Sequence, residues 1–144
     1  TLIVTKRMSD KIFIDTNLLI YSISTDYAKA TAVEQMLRKS LNFIVSTQII
    51  NEFVHTCYRK NLLTPSDVKR VVEEFLLFFE LVVIEENTIR SALDLKLRYG
   101  YSWYDSLVIA AALENECSTL LSEDLQHGQI IDGRLTILNP FIID

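Results

Sequence analysis

Short apolar runs alternate along the chain with longer stretches of helical periodicity. Ile12 to Ile14, in "KIFID", make a run too short for a helix and too uniformly apolar for a half-exposed strand. Such a run fits a strand buried on both faces, the kind found in parallel sheets. From Tyr27 to Lys39, Ala30, Val33, Met36 and Leu37 recur at helical spacing. Asn42–Thr47 ("NFIVST") is a second short strand. Ile49, Ile50, Phe53, Val54, Cys57 and Tyr58 then mark a helix. "TPSD" at Thr64–Asp67 opens another helix with Pro in its first turn, predicted to run to about Phe79. Leu81–Ile84 reads as the third strand. Glu86 to Tyr99 reads as a helix with Ile89, Ala92, Leu93 and Leu97 on one face. "YSWYDSLVIAAALEN" is helical and apolar almost all round, which predicts a central position. Ser118–Ser122 and Leu135–Leu138 are the fourth and fifth strands.

Strands alternating with helices predict an α/β fold. The expected architecture is a three-layer α/β/α domain around a central, mostly parallel, five-stranded sheet. No repeat, low-complexity tract or linker divides it. Residues 8–144 read as one domain, and residues 1–7 ("TLIVTKR"), before Met8, as an extension without functional weight. In open α/β sheets, sites form at the carboxyl ends of the strands. Polar residues just after strands, or at the starts of the helices that follow, are therefore the candidates.

Composition narrows the class. The chain has 144 residues, 49% hydrophobic, with only three Gly and two Pro. That is enough apolar material for a core without staples, and it predicts short loops. The apolar stretch around Leu107–Leu113 falls short of the roughly 18 residues of a membrane span. The two cysteines, Cys57 and Cys117, have no metal-binding or redox spacing. They read as core residues of a reduced, cytoplasmic protein. The net charge of −5 excludes retention on nucleic acid by bulk positive field alone. It is compatible with a nuclease whose carboxylates hold cations.

Four acids fall at the expected places. Asp15 ends the first strand, Glu52 lies in the helix after the second, Asp105 opens the central helix, and Asp124 follows the fourth strand. If they converge, their mutual repulsion in a low-dielectric cleft calls for a cation. Hard oxygen ligands suit Mg²⁺ or Mn²⁺. Such an ion orients a phosphodiester and lowers the pKa of a water. Each acid also has a plainer reading. Asp15, with Thr16 and Asn17, is a good N-cap cluster. Asp105 stands three residues after Ser102, a capping-box spacing. Glu52 points away from the stripe of Ile50, Phe53, Val54 and Cys57, as on a solvated face. Asp124, with Glu123, can simply end a strand. Spacing alone leaves both sets of readings open.

"FIDTNLLIY", "INEF", "YSWYDSLVIAAAL" and "LLSEDLQHGQ" resemble, in order and spacing, the four acidic motifs of the PIN-domain family. The resemblance runs from Lys11 to Pro140. Small single-domain proteins of this kind are similar to VapC-like toxins of type II toxin–antitoxin pairs. The resemblance implies an endoribonuclease dependent on one or two Mg²⁺ or Mn²⁺ ions, with RNA as substrate and a cognate antitoxin as partner. It implies Asp15, Glu52, Asp105 and Asp124 as metal-holding catalytic acids, with Glu52 reaching the cleft from the outward side of its helix. Asn17 and Ser122 would orient the carboxylates.

Outside the motifs, Arg38–Lys39, Arg59–Lys60, Lys69–Arg70 and Lys96 with Arg98 form small basic groups. "RYGYSWYD" makes Arg98, Tyr99 and Tyr101 candidate RNA contacts by stacking and charge, while Trp103 and Tyr104 read as packing under the central helix. His55 and His127 read as surface, packing or turn residues. The apolar surplus from Val68 to Phe79 predicts a partner surface, a homodimer or antitoxin groove. Three other classes share parts of this pattern. A PIN module binding nucleic acid or protein without a toxin role is one. A receiver domain fails because its third strand would have to end in a phospho-acceptor Asp, where this chain has "VVIEEN". A phosphatase fails because "DTN" lacks the second acid.

Overall fold

The computed structural model of the chain describes residues 10–40 and 42–142. The expected extension at residues 1–7 lies outside them. The elements in order are β1 (Ile12–Ile14), α1 (Thr16–Ser22), α2 (Tyr27–Leu37), β2 (Phe43–Ser46), α3 (Thr47–Arg59), α4 (Pro65–Phe78) and β3 (Glu80–Val82). They continue with α5 (Glu86–Tyr99), α6 (Trp103–Glu114), β4 (Thr119–Leu121), β5 (Ile130–Ile131) and β6 (Leu135–Leu138). One six-stranded sheet runs in the order β3-β2-β1-β4-β6-β5. All pairings are parallel except β5 with β6.

The α/β reading holds, with one correction. The sheet has six strands and not five. The extra strand, β5, is a two-residue antiparallel edge that pairs Ile130 with Thr136 and Ile131 with Leu135. Two residues carry no readable period, and Ile130 is exposed.

Phe13 and Ile14 are successive in β1, so their side chains point to opposite faces of the sheet. Both are fully buried. Helices must therefore cover both faces, which makes the middle of the sheet a double-sided core. α6 shows the same demand from the helical side, since every residue from Ser106 to Leu113 is buried. Its ends are set locally. Ser102 Oγ accepts from Asp105 N–H at the N-cap, and Gly100, at φ 76°, ends α5 in the left-handed conformation that glycine adopts without strain. α4 starts at Thr64, which accepts from Asp67 N–H, with Pro65 at the first position.

The apolar surplus of α4 divides in two. Val68, Val71 and Phe79 enter the core, while Leu76, Leu77 and Phe78 remain exposed. Cys57 and Cys117 are free and buried, and burial pushes the Cys117 thiol up to about 12.

The strand order reverses at β1: β2 and β3 lie on one side of it, β4 and β6 on the other. The crevice beyond the carboxyl ends of β1 and β4 is therefore the topological switch point, where open α/β sheets bind ligands.

Because Ala110 is fully buried in α6, Ala110→Leu overpacks the layer between helix and sheet. A loss of about 1–3 kcal/mol is expected, read as a lower urea midpoint with an unchanged slope.

Candidate active site

Asp15 is delivered to the switch point by β1 and held there by a bond across the sheet, in which Asp15 N–H donates to Leu121 C=O at 3.0 Å. Its carboxylate does two jobs. Oδ1 accepts from Thr16 N–H at 2.8 Å, capping α1, and Oδ2 accepts from Ser122 Oγ at 2.7 Å. The capping reading of Asp15 is thus correct as far as it goes, but only one of its oxygens caps.

Asn17 links this acid to the next. Its Nδ2 lies 3.4 Å from Asp15 Oδ2, 3.4 Å from Ser122 Oγ and 3.1 Å from Asp124 Oδ2, donating toward all three. Asn17 Oδ1 accepts from Glu123 N–H at 3.3 Å, which fixes the amide's orientation. Ser122 Oγ also accepts from Asp124 N–H at 3.2 Å, so the loop after β4 folds back onto its own serine.

Glu52 arrives from α3. Thr16 Oγ1 donates to its Oε2 at 2.7 Å, and Gln48 Nε2 to its Oε1 at 2.8 Å. Ile49, Phe53 and Cys57 bury the opposite side of the helix. The outward face therefore looks into a cleft and not into bulk solvent.

Asp105 stands in the first turn of α6. Ser102 caps its backbone, but the Asp105 carboxylate accepts no hydrogen bond among the described residues. The capping box is half made, and the acid is left for the site.

Electrostatics ties the group together. Asp15 is raised to about 6. Burial is the main cause, the bonds from Ser122 and Thr16 oppose it, and the charges of Glu52 and Asp105 push it further up. Two acids from distant elements thus act on one desolvated carboxylate, as acid–base chemistry or cation binding requires.

In kind, the site fits Mg²⁺ or Mn²⁺, since its ligands are hard oxygens. Among the described residues, no three His, Cys, Asp or Glu side chains are grouped so as to hold an ion as they stand. The Asn17 amide N–H groups lie between Asp15 and Asp124 and lend those carboxylates partial positive charge.

In front of the acids opens a cleft of about 1020 Å³, whose lining includes Glu52, Asp124, Asn17, Gln48, His55, Arg59, Lys60 and Tyr104. Several of these were missed from the sequence. Thr16 was read only as a capping neighbour. Gln48 carried a signal, standing four residues before Glu52 on the same helix face. Tyr104 is a correction: it does not pack under α6 but is 64% exposed on the cleft wall. His55 also lines the cleft, and His127 Nδ1 accepts from Asn139 N–H at 2.9 Å.

Glu123 is not a bare surface acid. Lys29 Nζ donates to it at 2.7 Å and Tyr21 Oη also donates to it. Lys29 in turn lies 4.3 Å from the Tyr21 ring centre. These bonds hold Glu123 below the usual carboxylate range. Arg98 and Tyr99 are turned elsewhere. Arg98 makes a two-pronged pair with Asp132 at 2.8 and 3.2 Å, Tyr99 Oη donates to the same carboxylate, and Tyr99 stacks on Tyr101.

With this geometry in view, the chain is a member of the PIN domain family, whose pattern it matches over residues 12–130. Solved structures agree in fold. A toxin–antitoxin complex from Klebsiella pneumoniae superimposes with a TM-score of 0.69 at 18% identity, covering 92% of this chain and 100% of that one. VapC20 of Mycobacterium tuberculosis, described as a sarcin–ricin loop cleaving toxin, gives 0.67 at 13%, covering 79% and 92%. DNA-bound VapBC from Salmonella typhimurium gives 0.68 at 18%, covering 89% and 98%. No curated protein matches the sequence.

Asp15 binds a proton more tightly folded than unfolded, so its burial weakens the fold as pH rises from 3.8 to about 6. The penalty is absent below that window and complete above it. With chelator present, the stability difference between Asp15→Asn and the parent should move in the variant's favour by on the order of 3 kcal/mol between pH 3.5 and 7. Urea unfolding across that range measures it. A flat difference would mean that the carboxylate is not desolvated.

Proposed function

We propose that the protein is a Mg²⁺- or Mn²⁺-dependent endoribonuclease, the toxin of a toxin–antitoxin pair. The observation that carries this reading is one buried carboxylate, Asp15, raised by burial and by Glu52 and Asp105 and joined to Asp124 through Asn17. Acids coupled in this way are poorly suited to a purely structural role, because Glu52 and Asp105 add repulsion to a carboxylate that is shut away from water.

Asp15, Asp105 and Asp124 would hold one or two ions, with Glu52 as a direct or water-mediated ligand. A bound ion would supply the charge that lets these acids ionise together, lower the pKa of a water and polarise the phosphodiester. The protein's own part is positional. Ser122 fixes the Asp15 carboxylate, Thr16 and Gln48 fix Glu52 from two sides, and Asn17 keeps Asp15 and Asp124 in register. Asp105, unbonded, is free to turn toward an ion. No histidine is needed as base in this reading.

The names of the structural neighbours, which include toxin–antitoxin complexes, support an antitoxin partner for this chain. A homodimer or antitoxin contact would use the apolar residues that α4 leaves exposed, Leu76, Leu77 and Phe78. The buried unpaired thiols fit the cytoplasm, and no described helix is long and apolar enough to cross a membrane.

The decisive experiment is cleavage of a mixed RNA substrate with and without chelator. The parent should cleave in Mg²⁺ or Mn²⁺ and stop on chelation. Asp105→Asn, folded by circular dichroism, should lose at least ~100-fold in kcat, the scale of removing a preorganised electrostatic group. Retained metal-dependent cleavage by that folded variant would sink the assignment.

A further inference from the structure

The cleft has an acidic end and a basic end, and α3 joins them. Glu52 and Arg59 both line it, seven residues apart on one helix, which sets them about 10 Å apart along the axis. Gln48, Glu52, Thr56 and Arg59 recur at spacings of four, four and three, so they share one face.

The two cations at the far end are among the described cations that have no carboxylate partner, and they line the cleft. Among the described residues, Lys29, Arg38, Arg70, Arg90 and Arg98 are each in an ion pair. Arg59 and Lys60 are exposed and have none, although both face the cleft. Their charge is left for something that enters it.

Tyr104, 64% exposed, lines the same cleft. Its backbone is anchored, because Gln48 Nε2 donates to Tyr104 C=O at 3.1 Å as well as to Glu52. One glutamine thus ties the stacking surface, the acid and the helix together. An exposed aromatic ring in a cleft that carries cations at its other end is an arrangement that holds unpaired bases, since every base has a π-face and every nucleotide a phosphate.

We infer that this cleft is a track for single-stranded RNA. Arg59 and Lys60 take backbone phosphates on one side of the acids, and Tyr104 stacks a base unstacked from its neighbours. The inference rests on the nuclease reading for its choice of RNA over an acidic peptide. It also places the RNA away from Arg98 and Tyr99, whose charge and hydroxyl are committed to Asp132.

Arg59 has a plainer use, since a cation in the last turn of α3 favours the helix dipole. That use affects stability only and cannot alter how RNA binding responds to salt.

The test measures binding of a fluorescein-labelled single-stranded RNA oligonucleotide to the Asp105→Asn protein in Mg²⁺, across a salt series. Each phosphate contact contributes about 0.7 to the slope of log K against log salt. Adding Arg59→Gln and Lys60→Gln should therefore reduce the slope by about 1.4. Arg59→Lys with Lys60→Arg should restore it. Tyr104→Ala should weaken binding by ~5- to ~150-fold, the range of one base stack, without moving the slope. Melting curves confirm that each variant is folded.

An unchanged slope in the folded double Gln variant overturns the inference. So does a double variant that loses affinity for a poly-glutamate peptide while its RNA slope stays the same, which would mark an acidic-protein surface instead. The outcome is separable from that of the catalytic reading. A parent that cleaves under metal control with no slope change leaves the nuclease standing and removes the track. A parent that never cleaves, with the slope reduced as expected, does the reverse.

Discussion

Everything in the site depends on burying one charge. Asp15 ends a strand whose neighbours on both sides are parallel, so its backbone is locked to β4 by the bond to Leu121. From there its carboxylate cannot retreat to water. Its neighbours answer that constraint: Thr16 N–H and Ser122 Oγ donate to it, and Asn17 leans across toward Asp124. Those bonds lower its proton affinity, yet burial and the charges of Glu52 and Asp105 outweigh them. The molecule thus keeps a deficit of positive charge at the point where its strand order reverses. A fold that needed only a capped helix would not keep Asp105 and Glu52 within reach of that point.

Much of this was legible in the chain. Apolar runs such as Ile12–Ile14 read as parallel strands because burial on both faces removes alternation, and Phe13 and Ile14 are indeed both buried. The all-round apolar helix read as central for the same reason. What failed was local or long-range. β5 is too short to carry a period, and it forms because the turns at Gly128 and Gly133, both at positive φ, fold the chain back onto β6. Tyr104 misled because a helix apolar on every side has no polar face to reveal which residue points out. It lies in the first turn, where cover from neighbouring elements has ended.

The acids themselves were visible, and so was their resemblance to the PIN pattern. The bonds that make them a site were not. Thr16 reaches Glu52 across 36 positions, and Asn17 reaches Asp124 across 107. No periodicity encodes such pairs, since only the sheet order brings β1 beside β4 and puts α3 against α1. The helical wheel for Glu52 was read correctly as pointing away from the core stripe. Its meaning changed only when the tertiary structure put a cleft there.

The proposed function asks an acidic protein to keep its attraction to a polyanion local. With a net charge of −5, its long-range field repels RNA, and screening confines surface charges to about 10 Å at ordinary salt. Over that distance sign matters more than sum. The acids at one end of α3 repel phosphate unless a cation neutralises them. Arg59 and Lys60 stand about 10 Å away along the same helix, outside the strongest part of that repulsion and without an ion-pair partner among the described residues. Among the described residues, Lys29, Arg38, Arg70, Arg90 and Arg98 are each matched to a carboxylate, and Arg59 and Lys60 differ from the other unpaired cations in lining the cleft. The charge pattern therefore favours a ligand whose negative charges are spaced along a chain, entered from the basic end and delivered to the acidic one. On the proposed function, a cation at the acids would remove the repulsion that a phosphate meets there, and the phosphate would add negative charge that holds the cation.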